Sequence, residues 1–281
     1  MARIEQHGAW AFFFYYIIWV IWKGSFLISG GDRYLVLLVV FFGILPDLDV
    51  IPLSLKLRKK QEDFEEGIQH HLCSMMHYPL TYTPFLIAFI LSLSFNFYPA
   101  YFLAPVIGIY GGHLLVDTVA SGDGIMWLKI PWKKHQYTPF INLWARKTDG
   151  YHGLYWEARY RQTVMNKLGN SVLVLNFIII GLFQVQAAIT HLEVGTSPGI
   201  SGYYITPLIL FFLSLYHWRK RTNPRFMEEP PGGRYQDFRI DKKYIRGLSE
   251  RNREKHLEKH SGLLKRDSLS LNQYQSNATG E

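Results

Sequence analysis

The chain has 281 residues, 48% of them hydrophobic and 16% aromatic, with a net charge of +8 and a single cysteine, Cys73. One cysteine excludes an intrachain disulfide and a paired-cysteine zinc motif. The positive charge comes without a nucleic-acid-binding motif, and in a membrane protein it reflects basic loops facing anionic headgroups.

The apolar residues are grouped in runs near twenty residues, the length that crosses a hydrocarbon core. Six spans are expected, at roughly 9–29, 34–53, 79–97, 99–119, 169–190 and 202–218. The first is interrupted by Lys23 and is read as a retained span, since no small-residue cleavage site follows it. The third and fourth are joined near Tyr98-Pro99, a turn short enough for an antiparallel helical hairpin. The expected fold is therefore an all-α integral membrane bundle of about six helices over 1–222.

Loop charge sets an orientation. Lys56, Arg58, Lys59 and Lys60 follow span two, eight lysines and arginines from Lys129 to Lys167 follow span four, and Arg219-Lys220-Arg221 follows span six. The connections after spans three and five carry no Lys or Arg. Both termini are thus expected on the cytoplasmic side. The basic aromatic stretch 120–168 is expected to lie at the inner leaflet, and 223–281 to form a flexible charged tail whose partner the sequence does not identify.

Three groups of acids and histidines sit at the ends of these spans. Such residues are costly at membrane depth and point to function. Asp47 and Asp49 follow Pro46 in Leu45-Pro46-Asp47-Leu48-Asp49, where proline breaks the helix. His70, His71 and His77 precede span three, and neutral imidazole is a common metal ligand. His113 and Asp117 are four residues apart, which on an α-helix places both on one face. Gly108, Gly111 and Gly112 just before them allow close approach of another helix. Taken singly, the His-x-x-x-Asp pair also reads as an intrahelical hydrogen bond, and the acids as a polar helix stop. The topology puts all three groups, and His7, at the same interface.

These motifs in this order resemble the YdjM-like family of predicted membrane-bound metal-dependent hydrolases. The matching pieces are His7, Leu45-Pro46-Asp47-Leu48-Asp49, the His70/His71 to His77 segment, and the run from Tyr110 through His113, Asp117 and Thr118 to Pro131. The likeness covers about the first half of the chain. It implies a site for one or two divalent ions, Zn²⁺ or Mn²⁺, with ligands drawn from His7, Asp47, Asp49, His70, His71, His77, His113 and Asp117. Either His70 or His71 can fill the first histidine position. Asp49 and His77 are the expected catalytic groups, with Asp49 as an alternative general base. The expected activity is hydrolysis at the cytoplasmic interface, with a phosphoester of a membrane lipid as substrate. A divalent-cation transporter or metal sensor built on the same ligands is the alternative reading.

Overall fold

A computed structural model describes residues 2–28, 30–49, 51–52, 75–95, 97–120, 124–131, 160, 163–194 and 202–220. His70, His71, the tail 223–281 and most of 120–168 lie outside the described residues. The described chain is mostly helical and contains no strand. Its helices are α1 (Ile4–Lys23), α2 (Tyr34–Ile44), α3 (Thr83–Ser94), α4 (Pro99–Ala120), α5 (Val164–Val194) and α6 (Gly202–Lys220). Two helical stretches, Pro99–Ala120 and Val164–His191, are long and apolar enough to cross a membrane.

Helices consecutive in the chain run in alternating directions. At one end, Gln6 in the first turn of α1 donates to Asn166 of α5 at 3.1 Å, and Glu5 meets His217 near the end of α6 at 2.7 Å. Toward the other end, Tyr15 of α1 donates to the carbonyl of Ala100 in α4 (3.3 Å), and Gln184 of α5 donates to the carbonyl of Tyr203 in α6 (2.5 Å). Lys23, the residue that breaks the apolar run of the first segment, closes α1 at this far end. Its ammonium lies 4.5 Å from the Trp22 ring centre and 4.8 Å from that of Tyr98, so aromatic faces offset its charge. Gly24 then ends the helix in the left-handed conformation (φ 60°), returning its N–H to the Val20 carbonyl.

The helix ends differ from those of the six spans expected. α1 starts at Ile4, earlier than the apolar run, because its first turn is polar yet buried. α2 stops at Ile44, and the chain tightens into a 3₁₀ turn over Leu45–Asp49. Pro46 has no N–H to continue the α-helical ladder, which accounts for the change.

α1 runs through the centre, packed against α2, α4, α5 and α6. Its crossing with α2 and α4 is close to backbone contact. A Cβ on Gly43 would stand 2.9 Å from the His7 carbonyl, and one on Gly108 would stand 2.8 Å from the Val39 carbonyl. A Cβ on Gly112 would fall on the Ala11 backbone. Gly111, by contrast, faces side chains alone, the Phe14 ring at 3.4 Å and Ile107 at 3.7 Å. Within α4 the stretch Ile107–Leu115, just after Pro105, is π-helical. Such widened turns are rare and recur at functional sites.

Large apolar side chains are plentiful on the outside. Ile87, Ile90 and Leu93 of α3, Ile178 and Leu182 of α5, and Leu208 and Phe212 of α6 are all more than half exposed. Exposed apolar patches of this kind mark surfaces that meet a partner or a membrane.

Replacing Gly43 or Gly112 with alanine forces these helices apart and is expected to cost about 1–3 kcal/mol. Gly181→Ala is the control, because nothing lies within 4 Å of its added methyl. Thermal unfolding of the three variants in detergent checks this: the first two lower Tm and the third leaves it unchanged or raises it.

Candidate metal centre

Four elements bring their polar residues to one point. His7 comes from the first turns of α1, Asp47 and Asp49 from the 3₁₀ turn after α2, His77 from the 3₁₀ turn Met75–His77, and His113 and Asp117 from the end of α4. His7, His77, His113 and Asp117 are completely buried, while Asp47 and Asp49 keep 7% and 8% of their surface. The small opening of the cluster is therefore on the Asp47–Asp49 side.

Each imidazole is oriented through its Nδ1. His7 Nδ1–H donates to the Gly112 carbonyl at 3.0 Å, and His113 Nδ1–H donates to the Gly43 carbonyl at 2.8 Å. A carbonyl oxygen only accepts, so both rings are assigned the tautomer with the proton on Nδ1. That leaves the Nε2 lone pair of each facing the cluster. His77 Nδ1 faces Asp49 Oδ2 at 3.0 Å. A carboxylate or carbonyl behind a ligating histidine is the usual outer-shell support of a metal site, because it fixes the ring and raises its basicity.

The donor atoms then converge. His7 Nε2 lies 3.3 Å from Asp117 Oδ1 and 3.9 Å from Asp47 Oδ2. His113 Nε2 lies 3.8 Å from Asp47 Oδ1 and 3.6 Å from Asp117 Oδ2. His77 Nε2 lies 3.7 Å from Asp47 Oδ1 and 3.2 Å from His113 Nε2. Ligand atoms around one tetrahedral ion with bonds of ~2.0–2.1 Å stand about 3.3 Å apart. The observed spacings are of this size. Two triads, His7–Asp47–His113 and His77–His113–Asp117, each keep their donor atoms within 4.8 Å of one another and can hold a metal ion. His113 belongs to both.

Charge gives an independent argument for a cation. With neutral imidazoles, the three buried carboxylates of Asp47, Asp49 and Asp117 carry a formal charge of −3. Burying charge of one sign is expensive without a compensating partner. Protons are one partner. Burial disfavours the His77 imidazolium, but the carboxylates of Asp47 and Asp49 outweigh that effect and raise its pKa to about 9. A doubly protonated His77 also accounts for the 3.2 Å contact, with Nε2–H donating to the His113 Nε2 lone pair. A metal ion would be a further partner, and one bound at His77 would displace the Nε2 proton.

The surroundings hold the ring positions. Thr81 and Tyr82 hydroxyls donate to the carbonyls of Met75 (2.6 Å) and Met76 (2.8 Å), pinning the turn that carries His77. The Trp127 indole N–H donates to Thr118 Oγ1 at 2.7 Å, and Ile125 packs with Tyr82, Ile109 and Leu114 beside the cluster. Backbone N–H of Ala2 donates to Asp117 Oδ1 at 3.3 Å.

The structure thus assembles His7, Asp47, Asp49, His77, His113 and Asp117, and assigns Asp49 to the back of the His77 ring. His70 and His71 fall outside the described residues. Two features escaped the sequence reading. One is the pair of backbone carbonyls at Gly43 and Gly112. The other is a buried polar group around Arg3, Glu5, Gln6, Asn166, Asn170 and His217, whose only sequence signal is polar residues placed just inside apolar segments. No protein-family model, curated protein or solved structure matches the chain.

Asp49→Asn keeps the size of the side chain but weakens the support of His77. It is expected to lower metal affinity about 10–100-fold without unfolding the protein, in line with other outer-shell changes. Because binding must displace a proton from His77, affinity should also rise with pH up to about 9. Competition titrations with a chromophoric chelator at several pH values check both expectations.

Proposed function

We propose that the protein is a metal-dependent hydrolase embedded in the membrane, with its site at the cytoplasmic interface. The observation that carries this reading is the convergence of three imidazole Nε2 atoms and two carboxylates whose supporting partners leave the donor atoms facing inward. The resemblance to the YdjM-like family supports it, since the family's acid and His-x-x-x-Asp motifs are the ones that meet here. In this reading six segments span the bilayer, α2 and α3 together with the 3₁₀ turns that adjoin them. The loop-charge bias and the exposed apolar side chains of α3, α5 and α6 favour that arrangement.

His7, Asp47, His77, His113 and Asp117 would hold one or two divalent ions; the imidazoles suit Zn²⁺, and the carboxylates beside them also suit Mn²⁺. When bound, the ion supplies Lewis acidity to a phosphoryl or acyl oxygen and acidifies water. The protein's own groups do the rest. Asp49 fixes the His77 ring, and its remaining exposure makes this carboxylate our candidate for proton transfer. The Tyr82–Ile109–Leu114–Ile125 packing keeps bulk water from the inner wall. A phosphoester of a membrane lipid is the proposed substrate, because a site at the helix ends lies at headgroup depth. A transporter with the same ligands is less favoured, since transport sites usually lie near the bilayer midplane.

Purified protein loaded with Zn²⁺ or Mn²⁺ should release an alcohol and a phosphomonoester from a phospholipid or a generic phosphodiester, or phosphate from a lipid phosphomonoester. Chelation should abolish this and metal re-addition restore it, and His113→Ala should lower the rate at least about 100-fold. Metal-loaded protein that hydrolyses none of these, yet carries Zn²⁺ or Mn²⁺ into liposomes, would overturn the hydrolase reading in favour of transport.

A further inference from the structure

A cavity of about 610 Å³ lies between α5, α6 and the start of α1, separate from the His/Asp cluster. Its walls differ from one end to the other. Asn166 and Asn170 of α5 line it together with Arg3 and His217, at the end of the bundle where α1 begins. One or two turns further along the two antiparallel helices, the lining is Leu173, Val174, Phe211 and Leu215. Val174 and Phe211 are more than half exposed, so this apolar part opens sideways to the outer surface of the bundle.

The polar end is shaped to receive negative charge. Its described lining includes a guanidinium, an imidazole and two amides, and no carboxylate. Glu5 is completely buried behind it, at 3.2 Å from Arg3 Nε and 2.7 Å from His217 Nδ1. The acid therefore holds the two basic side chains in position without itself lining the cavity. Asn170 is fixed in the same way: its Oδ1 accepts from the Arg3 guanidinium and from Gln6 Nε2. Gln6 is in turn held by Asn166 and by the Tyr160 hydroxyl at 2.8 Å. A polar network built to this extent around an arginine is more than helix packing requires. Trp218, which also lines the cavity, suits the boundary between headgroup and acyl chain.

We infer that this crevice is a binding site for one anionic membrane phospholipid. Its phosphate would sit at Arg3, Asn166, Asn170 and His217, and an acyl chain would run along Leu173, Val174, Phe211 and Leu215. The inference rests on the membrane placement given above but not on the hydrolase activity. The lipid would bridge α1, α5 and α6 at the end where α1 also delivers His7.

Native mass spectrometry of the full chain extracted in detergent tests this, with dioleoylphosphatidylglycerol, dioleoylphosphatidylcholine and inorganic phosphate as probes. The wild type should retain one phosphatidylglycerol and bind phosphatidylcholine about fivefold more weakly, the preference that one arginine provides near a membrane surface. Arg3→Gln should remove the preference. Leu215→Trp, which fills the apolar part at a partly exposed position, should weaken both lipids while leaving metal content at the His/Asp cluster unchanged. Equal phosphatidylglycerol binding by the wild type and both variants would overturn the inference. So would inorganic phosphate that displaces the lipid and binds Leu215→Trp as well as the wild type, since the occupant would then be a soluble anion. Recovery of the protein from cells without detergent would instead overturn the membrane placement itself.

Discussion

The crossing of α1 with α2 and α4 is the constraint on which everything else depends. Gly43 and Gly112 act twice there. Lacking side chains, they let the three backbones approach to contact distance. Their carbonyls then accept the Nδ1 protons of His113 and His7, each across the crossing from one helix to its neighbour. The close approach is what makes those hydrogen bonds possible, and the hydrogen bonds decide which nitrogen of each ring faces the carboxylates. Helix packing and ligand chemistry are thus set by the same few atoms.

The two outer supports follow from that core. Pro46 ends the α-helical ladder of α2 and leaves Asp47 and Asp49 on a tight turn, one toward the imidazoles and one behind His77. The π-helical stretch of α4 runs through His113 to Leu115, so the widened turn carries one ligand and ends just before the other, Asp117. The His7 and His113 rings stack at 3.9 Å between these elements, which leaves little freedom for either ring to turn. A cluster restrained on all sides is preorganised for a cation and costs little to order when one binds. On the far side of α1, buried Glu5 and Gln6 tie the same first turn to α5 and α6. The register of His7 therefore depends on both halves of the bundle.

Much of this was legible in the sequence. Asp47, Asp49, His113 and Asp117 stood out because acids and histidines at the ends of apolar runs have few ordinary uses. Gly108 and Gly112 were readable as contact points from their position ahead of His113. His7 was not readable from its own surroundings, because one histidine before an apolar run looks like any interface residue; its partners Asp47, Gly112 and Asp117 all lie far along the chain. The division of labour between Asp47 and Asp49 was hidden too. It depends on the 3₁₀ geometry after Pro46, where neighbouring residues of like chemistry turn to different sides. The π-helical turn has no dependable local signature, and the expected α-helical spacing of His113 and Asp117 reached the right pair through a different backbone.

The central claim is that these side chains form a metal site with His113 common to both triads. Elemental analysis of purified wild-type protein beside His113→Ala, with circular dichroism as the check on folding, tests it most directly. The account expects at least one equivalent of a divalent transition metal in the wild type, and almost none in a folded His113→Ala variant. A wild type that stays free of metal after loading, or a His113→Ala protein that retains the full complement, would contradict it.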